Sequence, residues 1–164
     1  MIRKVKPEDA EAITDIYNEY VLHTDITFET EPVAEEKMLS RIAGISTDYP
    51  YLVYETDGKV AGYCYAHAWK EKAAYKHTLE TTVYLHPEYK GRGIGKQLMQ
   101  ELIRTCRAEN YRVLIACITS GNEASRSLHL CLGFKQVSHF EKVGSKFNRL
   151  LDVDDYELIL KSGD

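Results

Sequence analysis

The chain has 164 residues and a mass of 18.8 kDa, a size that one compact domain fills and that leaves little for a second. With 44% hydrophobic and 28% charged residues it can bury a real core, which sets aside the disordered and fibrous classes. Lys and Arg number 21 against 25 Asp and Glu, for a net charge of -4 and a pI near 5.9; this balance argues against a dedicated binder of nucleic acid or anionic membrane, so any anionic ligand must be held by locally concentrated charge.

The first residues are partly basic but lack the apolar stretch of a secretory signal, and no apolar run approaches the roughly 20 residues that span a bilayer. A cytoplasmic protein away from membranes is expected, with residues 1–164 forming one domain. Residues 2–5 read as a short strand. Pro7, Glu8 and Asp9 then start a helix, because proline fits a first turn and acids complement the positive end of the helix dipole. That helix is predicted to reach about Tyr20, with Ile13, Ile16, Tyr17, Tyr20 and Val21 on one face. A second helix is predicted over 33–45, ending near Gly44.

Strands at 51–55 and 60–69 flank Thr56-Asp57-Gly58-Lys59, where Asp-Gly predicts a hairpin. The second of them alternates small residues (Gly62, Cys64, Ala66, Ala68) with large rings (Tyr63, Tyr65, His67, Trp69), so one face admits close packing and the other carries rings. A polar stretch, 70–76, leads to a strand over 77–86, a glycine-rich loop, and a helix whose Ile94, Leu98, Leu102 and Cys106 make an apolar stripe. The pattern continues as a strand over 111–119, a helix over 121–131 stopped by Gly133, and strands over 134–143 and 150–160. The fold class is therefore α+β, with several strands ahead of the glycine loop, unlike a nucleotide fold in which that loop follows the first strand. Cys64, Cys106, Cys117 and Cys131 are isolated, with no C-x-x-C pair; they read as small buried or half-buried hydrophobes, and no metal site is expected.

The loop Lys90-Gly91-Arg92-Gly93-Ile94-Gly95-Lys96 carries the chemistry. A strand running into a helix leaves several backbone N–H groups without intrahelical partners, and glycines let an anion approach them. From Glu88 to Lys96 there are three basic residues and one acid, a local +2 in a negative chain. A phosphate-binding P-loop would need Gly where Lys90 stands and a hydroxyl where Gln97 stands, and a dinucleotide fingerprint would need Gly where Lys96 stands. ATP and NAD are both disfavoured, and a different phosphate-rich ligand is indicated.

Val83-Tyr84-Leu85-His86-Pro87 followed by this loop resembles motif A of the GNAT superfamily of N-acetyltransferases, whose Q/R-x-x-G-x-G/A loop cradles the pyrophosphate of coenzyme A; Lys90 replaces the usual Gln or Arg. Gly121-Asn122-Glu123-Ala124-Ser125 through Leu132-Gly133-Phe134 is similar to the second cofactor-contacting helix of that superfamily. Further stretches, Ile16-Tyr17-Asn18, Thr27-Phe28-Glu29-Thr30-Glu31-Pro32-Val33, Tyr75-Lys76-His77-Thr78-Leu79-Glu80 and the segment from Val143 to Asp152, resemble the phosphinothricin and methionine sulfoximine acetyltransferase branch. Departures are Lys76 for the usual Arg, Thr81 for a frequent His, and Asn148 and Leu150 for the usual Gly and Trp; they fall where the acceptor pocket is expected.

The resemblance implies a twisted, mostly antiparallel sheet of six to seven strands with about four helices, splayed at the cofactor site, acetyl-CoA as co-substrate, no metal, and a homodimer. Acetyl transfer to an amine needs a base, because the amine arrives protonated. Glu80, alternating with Leu79 and Thr81 on a strand that runs into the loop, is the candidate; its alternative is an exposed or ion-paired residue, with Lys76 as partner. The resemblance puts the backbone of Val83, Tyr84 and Leu85 at the acyl oxygen, and Lys90, Gly91, Arg92, Gly93, Ile94, Gly95 and Lys96 around the cofactor's phosphates. Asn122 bonds the pantetheine arm or caps its helix. His129 stands where many superfamily members have the Tyr that protonates the leaving thiolate, and equally reads as a packed residue. On the acceptor side the resemblance places Ala73, Ala74, Tyr75, Lys76, Phe28 and Glu29, with Lys76, Lys146 and Arg149 available for a carboxylate. The acceptor is expected to be a small amino acid analogue; a non-catalytic acyl-CoA-binding module and an N-acetyltransferase for peptide amines are the alternatives.

Overall fold

The structure, a computed structural model, describes residues 1–161. Seven strands, β1 (Ile2–Lys4), β2 (Tyr51–Thr56), β3 (Lys59–Ala68), β4 (Thr78–Leu85), β5 (Val113–Thr119), β6 (Lys135–Lys146) and β7 (Arg149–Ile159), form one sheet in the order β1-β2-β3-β4-β5-β7-β6. All neighbours are antiparallel except β4 and β5, which run parallel. Four helices cover it: α1 (Ala10–His23), α2 (Glu35–Ser46), α3 (Ile94–Ala108) and α4 (Glu123–Cys131). The expected α+β class, strand number and helix number are all met.

The alternation along β3 decides how the layers stack. Cys64 and Ala66 lie in the core under α3, together with Leu98, Met99, Leu102 and Cys106. Small side chains let that helix settle close: the Cys64 Sγ lies 3.5 Å from the Leu98 carbonyl oxygen. Tyr63 points the other way, into the core that α1 and α2 build with Ile13, Ile16, Val53 and Tyr51. Each fully buried Leu or Ile contributes about 1.5–3 kcal/mol relative to exposure, so the two stripes read from the sequence are what hold helices to both faces.

Several boundaries move for physical reasons. Helix α1 runs three residues past Tyr20, because Val21 is still buried and the Thr24 side chain and N–H both donate to the Tyr20 carbonyl. Helix α2 starts at Glu35 rather than Val33, since the Asn18 amide clamps the Val33 backbone from both sides, accepting from its N–H at 2.8 Å and donating to its carbonyl at 2.9 Å. Gly44 sits inside α2 instead of ending it. Strand β6 extends to Lys146 and turns into β7 through Phe147 and Asn148, at φ +52° and +56°. That two-residue turn explains Asn148: the position needs the left-handed region, and asparagine tolerates it next best after glycine. Of the cysteines, Cys64 and Cys106 are buried as expected, whereas Cys117 and Cys131 are exposed; β5 carries Cys117 on a stretch that α1 and α2 do not reach. Among the described residues no cluster fit for a metal ion occurs and no helix is long and apolar enough to cross a membrane.

Candidate active site

Strands β4 and β5 pair only from Thr78–Val113 to Thr81–Ala116. Beyond that they part, and β4 from Thr82 to Leu85 has no partner on its β5 side. The opposite edge is paired throughout with β3. Antiparallel residues alternate in direction, and the His86 N–H donates to Ala61 across this ladder. The N–H groups of Tyr84, Thr82 and Glu80 therefore face β3, while those of Val83 and Leu85 face the gap. Of the three residues expected at the acyl oxygen, two present free amides and Tyr84 does not. A narrow cavity fills the gap, walled by Thr82, Val83 and Tyr84 on one side, Cys117, Ile118 and Thr119 on the other, and closed by Asn122, Ser125 and His129. A larger cavity of about 600 Å³ beside β1 and α3 shares none of these residues, and its Arg3, Glu101 and Arg104 are already ion-paired.

The glycine loop follows β4, and a Cβ on Gly95 at its end would meet Leu85 and Leu128, on the strand and the helix that border the gap. Gly91 and Gly93 have φ of +75° and +77°, and a Cβ built on either meets nothing within 4 Å. Their conformation, not crowding by the protein, demands glycine, and the space around them is free for a ligand. Gly93 is the N-cap of α3 and supplies no capping side chain, which leaves the amides of Ile94, Gly95 and Lys96 without intrahelical partners. Lys90, Arg92 and Lys96 are exposed around it. Lys90 lies over the Tyr20 ring and Arg92 over the Tyr89 ring, at 4.8 and 5.2 Å from the centroids, so the cations are anchored near the loop rather than dispersed in solvent.

Glu80 lies on the other side of the sheet from α3, half-buried, with its Oε2 3.0 Å from the Nε2 of His67. Its ion-pair partner is thus His67 on β3 and not Lys76, which is exposed with no side-chain partner among the described residues. The hydrogen bond that the His67 ring donates to Glu80, working against burial, raises the His67 pKa above its ordinary value. Thr81, next along the strand, is buried on the opposite face and its Oγ1 meets the Ile115 carbonyl; it does not share the side of the sheet that Glu80 occupies.

The remaining expected residues divide. Asn122 caps α4, its side chain accepting from the Ser125 N–H, and it also lines the gap. His129 is buried against the gap with Nδ1 2.7 Å from the Ser125 carbonyl, and burial lowers its pKa; it is a neutral imidazole whose Nδ1–H is spoken for. Ala73 and Ala74 sit on an exposed turn, and Tyr75 packs edge-on to Trp69 at 5.3 Å. Phe28 rests on Gly144, where any Cβ would clash with its ring. Glu29 is held by Arg41 of α2, a partner that its sequence neighbours do not reveal. Two of the three cations offered for an acceptor carboxylate are engaged: Lys146 is 4% exposed with Nζ donating to the Thr27 carbonyl at 2.9 Å, and Arg149 pairs with Asp25.

A splayed parallel pair with free amides, flanked by an uncapped glycine-rich helix start, is the arrangement expected of an acyl-CoA site. The family model for the acetyltransferase (GNAT) domain matches residues 2–153. The chain belongs to the GNAT acetyltransferase family. It is an acyltransferase that takes its acetyl group from acetyl-CoA, and the residues present fit that cofactor: unfilled amides and a cation cluster for its phosphates, Val83 and Leu85 amides at the gap for its thioester. A phosphinothricin N-acetyltransferase from Alcaligenes faecalis is 39% identical over 99% of this chain and 84% of its own. An L-methionine sulfoximine/L-methionine sulfone acetyltransferase from Salmonella typhimurium is 38% identical over 97% of this chain and 94% of its own. Among solved structures, a GNAT superfamily phosphinothricin acetyltransferase from Sinorhizobium meliloti in complex with acetyl-CoA superposes with a TM-score of 0.94 at 37% identity, covering 97% of this chain and 87% of that one.

Proposed function

We propose that this GNAT enzyme transfers the acetyl group to the amine of a small amino acid analogue of the phosphinothricin, methionine sulfoximine or methionine sulfone type, with Glu80 as the base. The observation that carries the reading is the placement of Glu80 on β4, three residues before Val83 on the strand whose free amides line the gap. Bound acetyl-CoA supplies an activated thioester; the chain's own groups do the rest. Amides of Val83 and Leu85 stabilise negative charge on the acyl oxygen, the loop from Lys90 to Lys96 holds the phosphates, Asn122 contacts the pantetheine arm, and Glu80 relieves the incoming ammonium of a proton. Phe28, Glu29, Ala73, Ala74, Tyr75 and Lys76 border the acceptor, and Lys76, the one unengaged cation of the three considered, takes its carboxylate.

One catalytic domain, residues 1–164, acting in the cytoplasm as a homodimer completes the reading. The dimer is supported by Val137, Phe140, Val143, Phe147 and Leu150, apolar side chains left exposed along the β6–β7 hairpin, and sedimentation equilibrium tests it: a monomer at micromolar concentration refutes the dimer. For the acceptor, free thiol is followed on mixing enzyme and acetyl-CoA with a panel of amino acid sulfoximines, sulfones, phosphinates and short peptides. Release confined to the first three classes is expected; release with peptides alone, or with none, overturns the reading. Glu80→Gln is expected to lower kcat at neutral pH by about 10²–10⁴-fold with acetyl-CoA affinity intact, and an unchanged kcat removes Glu80 as the base.

A further inference from the structure

His67 makes two contacts that cannot both be hydrogen bonds in a neutral ring. Its Nε2 lies 3.0 Å from the Glu80 carboxylate and its Nδ1 2.9 Å from the Ala68 carbonyl oxygen. Both partners are pure acceptors, and a neutral imidazole has only one N–H. Both contacts are satisfied together when the ring is an imidazolium. Removing a proton sets a nitrogen lone pair against a carboxylate or a carbonyl. The pair is not a chance meeting of long surface chains: His67 and Glu80 are directly opposed in the unbroken β3–β4 register, and each side chain is about one-third exposed.

We propose that His67 and Glu80 work as one base, in which His67 is a positioning residue that fixes the Glu80 carboxylate and stores on its Nε2 the proton that the carboxylate accepts from the acceptor's ammonium. This deepens the reading of Glu80 as the base and rests on it. The geometry seen is the loaded state. In the empty state, with neutral His67 beside ionised Glu80, one ammonium N–H bond breaks and its proton passes by way of the carboxylate to Nε2. The amine lone pair so released forms the new C–N bond as the thioester C–S bond breaks, the second N–H proton goes to the departing thiolate, and the stored proton returns to water across the exposed edge of the ring. One proton is released per turnover, as the overall reaction requires.

The pairing answers a mismatch. A lone glutamate, with a pKa near 4.3, is about six units below an ordinary alkyl ammonium, whereas an imidazole held by a carboxylate titrates close to working pH. The hydrogen bond to Glu80 outweighs burial and raises the His67 pKa. The other ionisable groups on this face around the pair, among the described residues, are Tyr65 on β3, Cys117 on β5, and Asp155 and Glu157 on β7. Desolvation raises the Tyr65 hydroxyl, and desolvation with Asp155 and Glu80 pushes the Cys117 thiol up to about 12; both stay neutral, so the proton exchanged near neutrality belongs to the pair.

His67→Gln separates the two roles, since its amide still donates to Glu80 but stores no proton, and His67→Ala removes both. The acid limb of the wild-type kcat profile is expected above 6.5. In His67→Gln it moves down into the carboxylate range, kcat at pH 7.5 falls about tenfold, and the KM for acetyl-CoA is unchanged; His67→Ala falls further. A readout independent of turnover is the NMR titration of the His67 ring, which is expected above 6.5 in the wild type and at or below 6.5 in Glu80→Gln. A wild-type ring titrating at or below 6.5, or a His67→Gln profile superposing on the wild type, overturns the proposal. If Glu80→Gln keeps full turnover, the base assignment fails first, and the ring titration still reports whether the pair exists.

Discussion

Replacing Gly91 or Gly93 by alanine tests the anion cradle, because the structure separates what the change does to the protein from what it does to a ligand. At φ of +75° and +77° an L-residue is strained by about 1–2 kcal/mol. The added Cβ meets no protein atom within 4 Å, so no clash is added to that strain. For a chain of this size, melting should fall by about 3–6 °C and no more. The methyl group projects instead into the space proposed for the cofactor's phosphates, beside the amides of Ile94, Gly95 and Lys96. Loss of one charge-assisted amide contact costs about 1.5–3 kcal/mol, so CoA affinity should fall roughly 10- to 100-fold. Calorimetry with CoA, beside thermal unfolding without ligand, measures both. Unchanged CoA affinity with the expected loss of stability would show that the glycines serve the turn alone and would refute the cradle.

Gly144→Ala drives a Cβ into the Phe28 ring, so the ring must swing away; if Phe28 borders the acceptor, steady-state kinetics should show a severalfold rise in the acceptor KM with the acetyl-CoA KM unmoved. Asn148 sits at φ +56° in the β6–β7 turn, so Asn148→Gly should hold or slightly raise the melting temperature, whereas Asn148→Val should cost about 1–2 kcal/mol. The pH dependence of stability follows from His67. Its folded pKa is raised by the Glu80 hydrogen bond, against burial, so its stabilising effect is complete below the unfolded value near 6.5 and is lost as pH rises through the higher folded value. The melting temperature of the wild type relative to His67→Gln should thus decline from pH 6 to pH 9, and a rise over that interval would contradict the ion pair.

Much of the cofactor side was legible in the sequence because it depends on local chain properties. Three alternating glycines between a strand and an amphipathic stripe are enough to predict an uncapped helix start with clustered cations, since backbone freedom and helix-end amides are properties of consecutive residues. The acceptor side was less legible because its partners come from elsewhere. Glu80 invites pairing with nearby Lys76, yet its partner is His67, thirteen positions away in sequence. Nine residues separate β3 from β4, too many for the turn to fix the register. Glu29 with Arg41 and Lys146 with the Thr27 carbonyl are likewise contacts between elements, and they withdraw groups that the sequence offers to a substrate.

The sequence by itself determined the layers and the loop: periodicity assigned faces to helices and strands, and glycine spacing assigned a phosphate-rich cofactor while disfavouring ATP and NAD. Only the tertiary structure decided which amides are free and which carboxylate has which partner. The direction of an amide at Val83 or Tyr84 is set by the neighbouring strand's register. So is the partner of Glu80, because the register of β4 on β3 brings two residues from separate strands within hydrogen-bonding distance.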